Sequence, residues 1–193
     1  KGFYQFEGDF WSQVDKVSTD RVGRHTVHQV PLEHLGKEPF YINQYLIDES
    51  TVVLKAQPFS NQLALIEMIS RVLPYGYYLY VREHPHWPEM YSYKMLKKLK
   101  NFPNIKILST KIDIHDIIKN SKGIITYNAT TGIEGLMYQK PILCFSDNLY
   151  YGSHSAVIRN FNLYNLSSDI LKLVKTEVNF EETVDFIDFI LNN

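Results

Sequence analysis

The chain has 193 residues, with 20 Lys+Arg against 21 Asp+Glu and a formal net charge of -1. Hydrophobic residues make up 45% and charged residues 21%, the usage of an ordinary globular domain, and the length suits one full domain or one domain with an arm. The balanced charge argues against a generic nucleic-acid binder resting on clustered Lys and Arg, and no apolar run approaches the ~20 residues of a membrane span.

Residues 1–45 mix aromatics (Phe3, Tyr4, Phe6, Phe10, Trp11) with charges and show no clear period, and Pro31, Gly36 and Pro39 break any long element. They read as an arm or interdomain connection, with one short helix over 11–17. From Thr51 the pattern becomes regular, and 46–193 read as one domain. Residues 51–57 (TVVLKAQ) predict a strand from their β-branched content. Residues 61–73 predict a helix, because Leu65, Ile66, Ile69, Val72 and Leu73 share one face. Strand 77–82, helix 88–99, strand 105–108 and a short helix 113–120 capped by Asp113 follow. Strand 123–127, helix 132–138 and strand 141–145 come next, and helices 168–177 and 180–191 finish the chain. Strand and helix alternate about five times, and several strands are apolar on both faces. That is the pattern of a parallel, doubly wound α/β sheet with helices on both faces.

In such a sheet ligands bind outside the carboxyl ends of the strands. After the second strand comes Arg82-Glu83-His84-Pro85-His86-Trp87-Pro88. Pro85 biases His84 to an extended backbone, which holds its imidazole in a set direction to donate to a phosphate oxygen or stabilise a leaving group. A Pro-rich turn whose His merely caps the sheet weighs about equally. After the fourth strand comes Tyr127-Asn128-Ala129-Thr130-Thr131-Gly132-Ile133-Glu134-Gly135. Thr131 and Glu134 have capping-box spacing, and the hydroxyls of Thr130 and Thr131 converge with the N–H groups around Gly132 on a helix amino end, where phosphate binds. Glu134 is then either a ribose-diol partner or spent on its own backbone. The polar loop 146–154, with Tyr150, and the mouth after Gln57 are further candidates, each equally readable as plain surface.

His25, His28 and His34 lack a ligand set around them and read as solvated or packed, so no metal site is expected. There is no G-x-G-x-x-G, Walker loop, H-E-x-x-H, G-x-S-x-G or Asp-x-Asp in the sequence. The cluster Lys97, Lys98 and Lys100 suits a solvated helix end. The single Cys144 forms no internal disulfide, which fits a reducing compartment. The chain begins at Lys1, with no initiator Met and no signal-like segment, as expected of an excised piece of something longer. The 14 Tyr, 11 Phe and 2 Trp fit an arm and cleft loops that face another domain.

The order of these features resembles the capsule polysaccharide synthesis family, the β-Kdo-transferase-like proteins. Gln57-Pro58, then Tyr80-Val81-Arg82-Glu83-His84-Pro85, then Asn128-Ala129-Thr130-Thr131-Gly132-Ile133-Glu134-Gly135-Leu136, then Gln139-Lys140-Pro141-Ile142 follow the family's donor half over roughly 51–151. The resemblance implies the Rossmann-like, C-terminal half of a GT-B glycosyltransferase, with a nucleotide-sugar donor (often a CMP-sugar), a glycan or glycolipid acceptor and no metal cofactor. It implies that His84 contacts the donor phosphate, that Thr130 and Thr131 hold that phosphate, and that Glu134 meets the ribose. Gln57, Arg82, Pro85, Asn128, Gly132 and Tyr150 complete the implied donor site. The general base would lie in an N-terminal domain not evident here, and the location would be cytoplasmic, at most peripheral to the membrane. The chain departs from the family pattern at Ala129 (usually Ser), Gly135 (usually Ala) and Gln139 (usually Gly). A polyol-phosphate transferase of the teichoic-acid type, with a CDP-activated donor, is a second reading. It is disfavoured because that family usually carries Asp-Tyr-Ser-Ser at Tyr127–Thr130. A non-catalytic nucleotide-sugar-binding module is a third.

Overall fold

The structure, a computed structural model, describes residues 40–43, 61–82, 97–108, 113–127, 130–146 and 154–192. Among these, the strands are β1 (Phe40–Asn43), β2 (Leu79–Arg82), β3 (Ile105–Leu108), β4 (Gly123–Thr126), β5 (Ile142–Cys144) and β6 (Val157–Arg159). The helices are α1 (Gln62–Val72), α2 (Ile114–Lys119), α3 (Thr130–Met137), α4 (Leu166–Lys175) and α5 (Phe180–Asn192), with a 3-10 turn at Leu163–Asn165 before α4. All described strand pairs are parallel, in the order β3-β2-β1-β4-β5-β6. The expected doubly wound α/β sheet is therefore present, in the Rossmann strand order.

The alternation of side chains along each strand divides the core between the two faces of the sheet. Leu79, Val81, Ile125, Leu143 and Ile158 pack with Leu65, Ile66 and Ile69 of α1 and Leu166, Ile170 and Leu173 of α4. Tyr80, Leu108, Ile124, Ile142 and Cys144 pack on the opposite face with Ile117 and Ile118 of α2, Leu136 of α3 and Phe186 of α5. Helices thus cover both faces, as a parallel sheet buried on both sides requires. Local signals match their elements. Asn61 caps α1 by accepting the Ala64 N–H at 3.1 Å, and Asp113 caps α2 by accepting the His115 N–H at 2.7 Å.

Three elements differ from expectation. Strand β1 lies within the stretch 1–45 read as an arm, yet it is hydrogen-bonded between β2 and β4, with Phe40 opposite both Leu79 and Gly123. Four residues after Pro39 are too few to display a period, so nothing local announced it. Strand β6 falls just after the polar loop and was not expected, because Val157–Arg159 contributes three residues, with Ile158 alone buried in the core. Helix α3 begins at Thr130, so Thr131 is already helical and does not serve as the N-cap of a capping box, whose cap must be non-helical. The expected strand 51–57, the helix at 11–17 and all but 97–99 of helix 88–99 lie outside the described residues.

Helix α3 lies close on the sheet through Gly135. A Cβ there would come within 2.8 Å of Ile142 Cδ1 and 2.9 Å of Ile124 Cγ1. The helix then ends in a Schellman turn. The Lys140 N–H donates to the Gly135 carbonyl and the Gln139 N–H to the Leu136 carbonyl, both at 2.8 Å, with Gln139 left-handed at φ 56°. This is the position where the resembling family carries Gly, the residue that adopts such a φ without a Cβ penalty.

At the far edge, α5 is fixed to the entry of β6. The buried His154 accepts the Ala156 N–H on Nδ1 at 3.1 Å, and its Nε2 lies 3.0 Å from Thr183 Oγ1. The Thr183 hydroxyl donates to the Asn179 carbonyl, so Nε2–H is the donor in that pair and the imidazole is neutral. Beside it the Glu182 carboxylate accepts both the Ser155 N–H and the Ser155 hydroxyl.

Three outcomes test this packing. Gly135→Ala lowers stability by about 1 kcal/mol, the overpacking cost exceeding the gain in helix propensity, and adding Ile142→Val recovers part of the loss in a double-mutant cycle read by denaturant melts. Gln139→Gly raises stability by about 1 kcal/mol in the same melts, because it removes the left-handed penalty. Burial lowers the His154 pKa from its ordinary value, against a smaller opposing pull from Glu182, and the Ser155 hydrogen bonds hold Glu182 below the usual carboxylate range. The unfolded chain therefore takes up these protons at higher pH than the folded one. Stability is full above about pH 6.5 and falls as the pH drops through the His154 range and then the Glu182 range. His154→Gln melts at lower temperature but with a flatter slope between pH 7.5 and 5; an equally steep slope in the variant would place the titration elsewhere.

Candidate functional site

The strand order reverses between β1 and β4. From β1 the chain builds one wing through β2 to β3, and from β4 the other through β5 to β6. A doubly wound sheet opens its ligand crevice at such a reversal, outside the carboxyl ends of the strands. The register defines that edge: Asn43 lies opposite Arg82, Arg82 opposite Leu108, Thr126 opposite Cys144, and Cys144 opposite Arg159. The two stretches that sequence reasoning ranked first both leave from this edge. One follows Arg82 at the end of β2, and the other follows Thr126 at the end of β4. Strand β1 stands between them.

Helix α3 starts four residues after β4 ends, so its first-turn N–H groups, which have no intrahelical acceptors, face the crevice side with the positive end of the helix dipole. Thr130 is exposed in that turn, whereas Thr131 and Gly132 are buried and Glu134 is half-buried one turn further in. The two threonines thus divide: Thr130 faces solvent, and Thr131 is built into the helix–sheet contact. Arg82 is described as a residue of β2, and its side chain lies outside the described set. Gln57, His84, Pro85, Asn128 and Tyr150 also lie outside the described residues.

The ends of β4 and β5 are tied together beside the start of the β4–α3 connection. The Phe145 N–H donates to the Thr126 carbonyl at 3.0 Å, and the buried rings of Tyr127 and Phe145 pack with centroids 6.1 Å apart. Burial pushes the Tyr127 phenol well above its ordinary pKa, so it stays protonated and packs as a core ring. Cys144 Sγ donates to the Tyr127 carbonyl at 2.8 Å, and the Ser146 hydroxyl donates to the same oxygen. Sequence reasoning did not select this pair. The available signal was two small polar residues two apart, on one face, ending an otherwise apolar strand.

His154, at the end of the candidate loop 146–154, is buried with both ring nitrogens engaged inside the fold, so it acts in packing α5. No group of three or more His, Cys, Asp or Glu suited to a metal ion occurs among the described residues. Among them, too, no helix is long and apolar enough to cross a membrane.

Comparison with solved structures supports the fold. The chain is similar to a UDP-GlcNAc 2-epimerase from Methanocaldococcus jannaschii, at 13% identity and a TM-score of 0.57, over 98% of this chain and 50% of that one. A second structure of that epimerase, in complex with UDP-GlcNAc and UDP, aligns at 14% identity and a TM-score of 0.54, over 97% and 53%. The β-Kdo 2,7 transferase KpsC of Thermosulfurimonas dismutans aligns at 16% identity and a TM-score of 0.50, over 98% and 64%. The chain therefore spans between half and just under two thirds of the length of these proteins. No curated protein matches it by sequence. The sequence pattern of the family described as capsule polysaccharide biosynthesis protein matches residues 12–154, most of the chain and both stretches that flank β1. With its fold and motif order in agreement, the chain belongs to the capsule polysaccharide biosynthesis protein family.

Proposed function

We propose that this chain is the donor-binding half of a GT-B glycosyltransferase that uses a nucleotide-activated sugar, of the CMP-sugar kind, in capsule or surface polysaccharide synthesis. One observation carries the reading. In a chain of the capsule family, the helix with hydroxyls in its first turn begins at the crevice where the strand order reverses. That is where a nucleotide phosphate finds free N–H donors and a favourable dipole. The likeness in fold to a Kdo transferase, and to an epimerase whose structure holds UDP-GlcNAc and UDP, supports a nucleotide-sugar ligand and an enzyme of two such halves.

In this reading the first-turn N–H groups and the Thr130 hydroxyl hold the donor phosphate, with Thr131 and Gly132 setting the turn that presents them. His84, held by Pro85, donates to the phosphate oxygens, and Arg82 adds positive charge at the end of β2. Glu134 accepts from the ribose diol, and Gln57, Asn128 and Tyr150 line the mouth. The acceptor hydroxyl, deprotonated by a base of the partner half, attacks the anomeric carbon. The bond from that carbon to the phosphate oxygen breaks, and the nucleotide departs with both bonding electrons. His84 and the helix end stabilise the charge that develops on the leaving phosphate, so no metal ion is needed. The acceptor is a glycan or glycolipid, and the enzyme works at the cytoplasmic side, at most peripherally bound to the membrane.

Calorimetric titration with CMP, CDP, UDP and their sugars tests this. Cytidine-nucleotide binding is expected, weakened about tenfold by His84→Ala and by Thr130→Ala, the loss of one hydrogen bond to a charged group each. Full affinity in both variants would remove the phosphate assignment. Tighter binding of UDP than of CMP would move the chain toward the epimerase kind of donor, and unchanged affinity in Glu134→Ala would limit that residue to a role within its helix.

A further inference from the structure

Helix α5 is seated on the sheet through a narrow contact. Thr183 and Phe186 are its buried side chains, while Phe180, Val184, Phe189 and Leu191 are exposed, as are Glu181, Asp185 and Asp188. The contact is built around the buried His154. Its ring meets the Phe186 ring edge-on, with centroids 5.4 Å apart. Its Nε2–H donates to Thr183 Oγ1 at 3.0 Å, and its Nδ1 accepts the Ala156 N–H at 3.1 Å. One imidazole thus grips α5 on one side and the turn into β6 on the other.

The second grip exists only while Nδ1 carries no proton. A proton there would set two N–H groups against each other and leave a cation in a buried place. Among the described residues, the charged group that faces the ring is Glu182 of α5, with Oε1 3.9 Å from Nδ1. That is beyond hydrogen-bond reach, and the same oxygen already accepts the Ser155 N–H at 2.6 Å. On the sheet side, the core that Phe186 joins holds Tyr80 and Cys144 as its titratable members, and phenols and thiols ordinarily ionise above the range of an imidazole. Burial therefore outweighs the pull of Glu182, which is the direction of the His154 shift. The strands from β3 to β5 pair through their own backbones, and the core on the other face is filled by α1 and α4. Neither needs the imidazole.

We propose that His154, wedged between the entry of β6 and the Thr183–Phe186 face of α5, is a proton-operated latch: a proton taken up at Nδ1 frees α5 as a unit while the parallel sheet stays folded. Release uncovers the apolar surface of Ile142 and Ala156 that shares a core with Phe186. Nothing in the latch depends on the donor site.

Native-state amide hydrogen exchange, read by NMR at low denaturant and corrected for the intrinsic effect of pH, tests the latch in the full chain. Phe186, Ile187 and Ile190, whose amides belong to the hydrogen-bond ladder of α5, are expected to exchange faster than Ile124 and Phe145, whose amides donate to Pro141 and Thr126. Their exchange also depends less steeply on denaturant, as an opening that exposes one helix should. From pH 7.5 to 5.5 the protection of the α5 amides falls several-fold. The ceiling is about tenfold, set by one proton with an ordinary value of 6.5. In His154→Gln this pH step disappears. If that variant does not fold, Thr183→Val keeps the titrating ring but removes its Nε2 partner, and α5 protection at pH 7.5 drops several-fold. Equal rates and equal denaturant dependence at the α5 and strand amides would make the chain one cooperative unit and overturn the proposal. So would a pH step that survives in His154→Gln, or unchanged α5 protection in Thr183→Val.

Discussion

With only hydrogen at Gly135, helix α3 lies close enough to β4 and β5 that a single carbon atom would collide with Ile124 and Ile142. That close approach fixes the axis of the helix, and the helix axis fixes where its dipole and first-turn N–H groups end. They end beside β1, where the sheet reverses its winding. The parallel sheet thus has two distinct jobs at its two ends. Below, the loops return to the amino edge and close on themselves, as the Schellman turn through Gln139 and Lys140 does. Above, at the carboxyl edge, helix α3 begins beside the point where the strand order reverses.

The polar groups of the described core divide along the same line. At the entry of β6, His154, Thr183, Ser155 and Glu182 satisfy one another and lock α5 in place. At the exits of β4 and β5, Cys144 and Ser146 spend their donors on the Tyr127 carbonyl. At the exit of β6, the Asn160 amide donates to Asp169 at 2.7 Å and ties that strand to the first turn of α4. Side chains thus pin successive strand ends, and each pin fixes the start of the loop or helix that follows. Thr130, in the first turn of α3, is by contrast exposed.

Much of this was legible in the sequence, for physical reasons that differ by element. Helix α1 was readable because Leu65, Ile66 and Ile69 repeat at the helical period and Asn61 precedes them as a cap. Strands β4 and β5 were readable because burial on both faces demands unbroken apolar runs. Strand β1 was not, since a short strand supported on both sides by neighbours needs no propensity of its own, and tertiary pairing decides it. The start of α3 was misjudged by two residues because the Thr131–Glu134 spacing points to Thr131 as the cap, whereas the helix already includes Thr130 and buries Thr131. The carbonyl held by Cys144 and Ser146 was beyond reach, because it depends on the bend at Tyr127 bringing two neighbouring strand ends together.

The departures from the resembling family can now be separated by what they touch. Gly135 and Gln139 stand where the family has Ala and Gly, and both act on the back half of α3. The first sets how near the helix lies to Ile124 and Ile142, and the second sets the backbone conformation of its closing turn. Neither lies in the first turn. Gly135 lets the helix lie closer to the sheet than a Cβ would allow, whereas Gln139 adds left-handed strain to its closing turn. These two departures therefore concern how the helix is mounted on the sheet. Ala129 differs in kind, because it removes a hydroxyl immediately before the first turn and leaves Thr130 as the exposed one.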